Sequence, residues 1–248
     1  MDAPPVQPAK PPPSLVGRVV APSALAAPQI DAMYALLATY FANVNRAQFQ
    51  RDLCEKDWVV LLCDGASGAV QGFSTLMQLH VTVDARPIVA LFSGDTIIDR
   101  AYWGEAELPR IWGKHVFDLA DILAPTPVYW FLISSGYKTY RFLSVFFREF
   151  YPSYCHATPP HIQHILDTLG TAKFPDEYDP AGGVIRFRQA SPLRAGVAAV
   201  TPRRLKDPHV AFFAARNPGH AHGDQLACLV AIDRANVTPA GQRMLDAA

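Results

Sequence analysis

Charge is scarce in this sequence: Asp, Glu, Lys and Arg make up 18% of the 248 residues, against about 25% in an average soluble domain. The two signs cancel at 22 residues each, so no net field draws the molecule towards nucleic acid. Cysteine is scarce too. The four present, Cys54, Cys63, Cys155 and Cys228, include no Cys-x-x-Cys pair, which excludes the framework of a small disulfide-stapled domain. No apolar run is long enough to span a membrane. The most apolar stretch, 128–133, has Pro125 and Pro127 on one side and Lys138 and Arg141 on the other. The first fifteen residues hold six prolines and no apolar segment of the kind a secretory leader needs. A cytoplasmic location is the expectation.

Apolar side chains are abundant, at 50% hydrophobic and 11% aromatic residues. That balance fits a dense core or an apolar cleft and excludes disorder over most of the chain. Residues 1–14 read as a disordered, proline-rich tail. Helical spacing follows at Ile30, Met33, Leu36, Leu37, Tyr40 and Phe41. Residues 58–63, 68–83 and 88–98 read as three strands, with Asp64-Gly65 and Ala85-Arg86-Pro87 as breaks and an expected bulge at Gly94. A helix over 108–122, a strand over 128–134 and an aromatic helix over 137–150 come next. This order implies an α/β fold with a mixed central sheet flanked by helices. Beyond Pro152 the pattern weakens. It predicts a helix over 161–169, loop over 170–183, and strands or buried segments over 210–215 and 225–232.

The segment 88–152 resembles the core of the GCN5-related N-acyltransferase superfamily. Thr96-Ile97-Ile98-Asp99 followed by Arg100-Ala101-Tyr102-Trp103-Gly104 resembles that superfamily's strand exit, and 140–150 (YRFLSVFFREF) stands where its aromatic-rich helix lies. The resemblance implies a core over 15–155 and leaves 156–248 as a C-terminal extension packed on the same domain. It also implies an acyl-CoA or acyl-carrier thioester donor at Ile97, Ile98, Trp103, Gly104 and Ala106, with no metal. Donor phosphates would meet backbone N–H groups at the helix N-terminus, where glycines permit close approach. The turn here reads Trp103-Gly104-Glu105-Ala106-Glu107, so only Gly104 and the small Ala106 fit, and two acids stand where a pyrophosphate would.

Three residues are candidates for the chemistry. Asp95 is a carboxylate within an apolar strand, where partial burial raises its pKa towards that of a useful base. Alternation puts Ser93, Asp95 and Ile97 on one face unless a bulge intervenes. Ser135 and Tyr140 are candidate proton donors to a leaving thiolate. The basic stretch 186–206, with Arg203 and Arg204, suits an acidic carrier protein, cofactor phosphates or peripheral contact with anionic lipid. Cys155-His156 with His161 and His164 matches no common zinc spacing. The His220, His222 and Asp224 loop reads first as turn chemistry. The expected activity is N-acyl transfer, with an acyl group longer than acetyl, from a thioester to a small-molecule amine. A ligand-holding protein that keeps the fold without catalysis is the alternative.

Overall fold

The computed structural model describes residues 14–246, so the proline-rich segment read as a tail lies, but for Ser14, outside the described residues. Eight strands form one sheet: β1 (Leu15–Val20), β2 (Trp58–Asp64), β3 (Val70–Val83), β4 (Arg86–Ile98), β5 (Val128–Ser134), β6 (Tyr178–Asp179), β7 (Val184–Ile185) and β8 (Gln225–Ala231). Their order across the sheet is β1-β2-β3-β4-β5-β8-β7-β6. Only β4 and β5 run parallel; every other pairing is antiparallel. The sheet is mixed and flanked by helices, as expected.

Alternating side chains divide the core between the two faces of the sheet. One face carries Leu62, Leu76, Leu91, Trp130 and Cys228. It is covered by α3 (Glu107–Leu123), α4 (Tyr137–Phe146), α6 (Pro208–Arg216) and α7 (Pro239–Asp246). The other face is covered in two halves. There α1 (Ala27–Tyr40) and α2 (Arg46–Cys54) pack on Val59, Leu61, Phe73 and Ile97, while α5 (Pro160–Lys173) packs on Ile88, Ala90, Phe131 and Leu229.

The β3–β4 hairpin closes on Asp84 and Ala85, both with positive φ, so Arg86 and Pro87 already belong to β4 and do not form a break. Two early elements, β1 and α2, were not anticipated. Helix α2 buries only Phe49 and Leu53, and its start is fixed by Asn45, whose side chain accepts the Gln48 N–H.

Residues 210–215, read as a strand or buried segment, are not a strand: they belong to helix α6, which buries Val210 and Phe213. Asp207 caps it by accepting the His209 N–H, and Pro208 follows at the first helical position, where its missing N–H costs nothing. Helix α5 continues through 170–173, β6 occupies part of the expected loop, and β7 begins directly after it. The aromatic helix stops at Phe146. The C-terminal segment therefore supplies β6, β7 and β8 to the same sheet.

Candidate functional site

The site begins where two parallel strands part. β4 and β5 pair from Val89 opposite Val128 to Ser93 opposite Leu132. Beyond that point β4 runs on to Ile98 and β5 to Ser134 without pairing to each other. β4 is still held by β3 on its far side, and β5 by β8 through Ser134 and Leu226. The inner edges of the fork thus present backbone groups not used by the ladder.

A bulge sits at the same place. Ser74 pairs with Thr96 and Leu76 with Ser93, so Gly94 and Asp95 together face Thr75. A Cβ on Gly94 would lie 2.9 Å from Thr75 Oγ1 and 3.2 Å from Lys56 Cε, so the bulge is packed closely enough to need glycine. The Thr75 hydroxyl is buried and has no hydrogen-bond partner among the described residues.

The bulge turns over the faces. Ser93 stays on the α3–α4 side, where Trp130 Nε1 donates to its hydroxyl at 2.7 Å. Thr96 and Ile98 follow on that side, while Ile97 joins the core under α1 and α2. The bulge expected at Gly94 does intervene, so Ser93 is parted from Asp95 and Ile97 and the three do not share one face.

Asp95 belongs to the opposite side, towards Lys56 and Asp52. Burial pushes its pKa up to about 6; the Lys56 charge opposes that rise and Asp52 adds to it. Lys56 is held below its usual pKa, first by burial and then by Lys173. Lys173 is itself bound to Glu55 at 2.6 Å. Sequence reasoning missed Lys56, because it is a surface-type residue brought beside the bulge only by the fold of α2 and β2.

On the α3–α4 side the fork opens into an apolar cavity of about 60 Å³. Trp112, Phe117, Trp130, Phe142, Met244 and Leu245 form much of its wall, with Ser74, Ser93 and Thr96 at the strand end. Ser74 Oγ and Thr96 Oγ1 bond each other at 2.8 Å. Helix α7 lies across the groove between α3 and α4. Two glycines let it settle: a Cβ on Gly113 would lie 2.9 Å from Leu245 Cδ2, and one on Gly241 2.8 Å from the Phe146 carbonyl oxygen.

The turn between β4 and α3 has no side-chain cap and carries an acid at the start of the helix. Glu107 occupies the first turn of α3, accepts the Gly17 N–H at 3.0 Å and pairs with Arg110 at 2.9 Å. Gly104 has φ +108 and no heavy atom near its missing Cβ, and Ala106 is exposed. Trp103 is 40% exposed and donates Nε1–H to the Ile98 carbonyl at 2.9 Å.

Ser135 follows the end of β5 and is half-buried. Tyr140 is not beside it in function. Its ring is fully buried and its hydroxyl donates to the Pro152 carbonyl at 2.9 Å, while burial raises its pKa. The role of Tyr140 as a proton donor is therefore withdrawn.

His220 and Asp224 serve their own turn. Asn217 accepts at its carbonyl from His220 Nδ1 and donates its amide to the Asp224 carbonyl, both at 2.8 Å. Among the described residues no group of three or more His, Cys, Asp or Glu side chains is placed to hold a metal ion. No helix among the described residues is long and apolar enough to cross a membrane.

The chain is similar to solved N-acetyltransferases. One is YhbS from Escherichia coli, a GNAT family N-acetyltransferase in complex with CoA, at 15% identity over 55% of this chain and 71% of that one, TM-score 0.39. A GCN5-related N-acetyltransferase from Kribbella flavida matches at 14% identity over 56% of this chain and 34% of that one, TM-score 0.40. An Enterococcus faecalis V583 protein of unknown function, named "Probable N-Acyltransferase", matches at 15% identity over 55% and 33%, TM-score 0.41. The chain thus spans about a third of the length of two of these proteins. No family model and no curated protein matches the sequence.

Proposed function

We propose that the protein transfers an acyl group from a thioester to an amine at the fork between β4 and β5. The observation that carries this reading is the bulge at Gly94. It places a carboxylate of raised pKa on one side of the open fork while the other side leads into an apolar cavity. In this reading the acyl chain occupies the cavity, the thioester lies in the fork and the amine arrives from the Asp95 side. Asp95 takes the proton from the attacking nitrogen as the new C–N bond forms and the C–S bond breaks. Unpaired backbone N–H groups of the fork polarise the thioester carbonyl. Ser135, at the end of β5, protonates the departing thiolate.

The free space sets the acyl chain. One ordered water needs about 10–15 Å³ and the cavity of about 60 Å³ is several times larger, so it takes a chain of a few heavy atoms. That is longer than acetyl and shorter than a fatty acyl chain unless α7 yields. Arg203 and Arg204 are both exposed and offer a surface for an acidic carrier protein bearing the donor.

A second reading, a ligand holder without catalysis, is favoured by one observation: α7 packs against α3 and α4 and adds Met244 and Leu245 to the cavity wall. Both readings are tested by incubating the full chain with acetyl, butyryl and hexanoyl thioesters and a panel of amines. Acylated amine appearing in step with free thiol, seen by mass spectrometry, supports transfer. Thioester bound without turnover supports the holder.

A further inference from the structure

At the open end of the fork three cations stand together without acids. Lys138 Nζ lies 3.6 Å from the centre of the Trp103 ring and Arg100 Cζ 5.5 Å from it. Arg204 Cζ lies 5.9 Å above the ring of Tyr137, the residue before Lys138. None of the three makes an ion pair among the described residues. The nearest carboxylate in sequence, Asp99, is occupied elsewhere: it accepts from the Tyr40 hydroxyl and from the Ala101 N–H. Burial lowers the pKa of Lys138, and the Arg204 and Arg100 charges lower it further. Like charges gathered from three segments, held by aromatic faces and facing one another, are unfavourable unless an anion joins them.

Helix α4 adds to the field. Its N-cap is Gly136, with no side-chain cap and no acid in the first turn. Its positive end is thus unneutralised. Helix α3 also lacks a side-chain cap but differs in carrying the acid Glu107 in its first turn. Thr139 of α4 and Leu108 of α3 both line the apolar cavity. Thr139 directly follows Lys138 in α4, so the cations stand close to the cavity wall.

We propose that Arg100, Lys138 and Arg204, with the N-terminus of α4, bind the phosphate of the donor's phosphopantetheine arm. This moves the anion site from the β4–α3 turn, where the sequence pattern puts it, to the facing helix. The inference rests on the thioester-donor reading. It explains how a chain with Glu105 and Glu107 in that turn would still hold a phosphorylated donor. The arm is common to coenzyme A and to a carrier protein, so both sources present the same group to the site.

Calorimetry on the full chain with four probes tests it: coenzyme A, phosphopantetheine, pantetheine and inorganic pyrophosphate. The wild type is expected to bind phosphopantetheine at least tenfold more tightly than pantetheine. The pair Lys138→Met and Arg204→Met should erase most of that difference. If melting shows the double variant to be unfolded, Arg100→Met alone makes the same comparison from a different segment. A preference for phosphopantetheine that survives these changes, or no preference in a wild type that binds both arms, overturns the site. Tight coenzyme A binding by unaffected variants would discard the site and leave the donor reading standing. Pyrophosphate bound and lost in the variants, with no binding of either arm, keeps the anion site and discards the donor reading. Equal binding of phosphopantetheine and coenzyme A places one phosphate in the site; tighter coenzyme A extends it to the rest of the nucleotide.

Discussion

At Asp95 the folded chain holds a carboxyl with a pKa of about 6, against about 3.9 in an unfolded chain. Between those values the folded state binds more protons than the unfolded one. Stability therefore falls as pH rises from about 4 to 6 and stays lower above that range. Asp95→Asn removes this cost while keeping the shape. Relative to wild type it should gain up to about 3 kcal/mol at pH 7 and nothing below about pH 4. Urea melts at pH 4 and pH 7 would check this. Equal shifts at both pH values would show that Asp95 is stabilised by bonding within the bulge. The carboxylate was legible in the sequence as a charge out of place in an apolar strand. Its direction was not, because one extra residue in β4 reverses every side chain after it.

Among the elements, α7 decides how much of the cavity is free. Its Leu245 rests against Gly113, and Met244 lies alongside in the cavity wall. Leu245→Ala with Met244→Ala should lengthen the preferred acyl chain by about two to four carbons, each buried methylene being worth ~0.8 kcal/mol. The variant should also cost about 2–5 kcal/mol of stability, because large-to-small changes leave a void. Relative kcat/KM over a series from acetyl to decanoyl measures the first effect. An unchanged chain-length profile would place the acyl group elsewhere.

Elements with strong periodicity, such as α1 and β2 to β5, were readable from the sequence. Helices α2 and α6 were not recognised, although the Asn45 cap and the Asp207-Pro208 pair mark their starts. Each buries few side chains: Phe49 and Leu53 in one, Val210 and Phe213 in the other. Strand β1 was missed because its short apolar run follows directly on the proline-rich segment.

Across the whole molecule, one sheet joins the early strands to β8, so the C-terminal segment builds the site from a distance. Arg204 and α7 meet the fork only through tertiary approach, and spacing along the chain carries no sign of it, whereas Lys138 follows β5 directly in α4. The same segment carries Arg203 and Arg204, the surface proposed for a carrier. Reversing both to Glu should slow transfer from an acyl carrier at least tenfold at low salt, and much less from a small phosphate-free thioester. Surface charges act mainly on association and are screened as salt rises. Equal slowing with both donors would remove the docking role.

The most direct test of the fork as an acyl-transfer site is the pH dependence of kcat/KM, followed by thiol release from butyryl thioester. The account predicts a rate that rises through pH 6 to a plateau. In Asp95→Asn that acid limb should vanish with a loss of about 10²-fold or more. A wild-type profile flat across pH 6, or an Asp95→Asn variant that keeps both limb and rate, would contradict it.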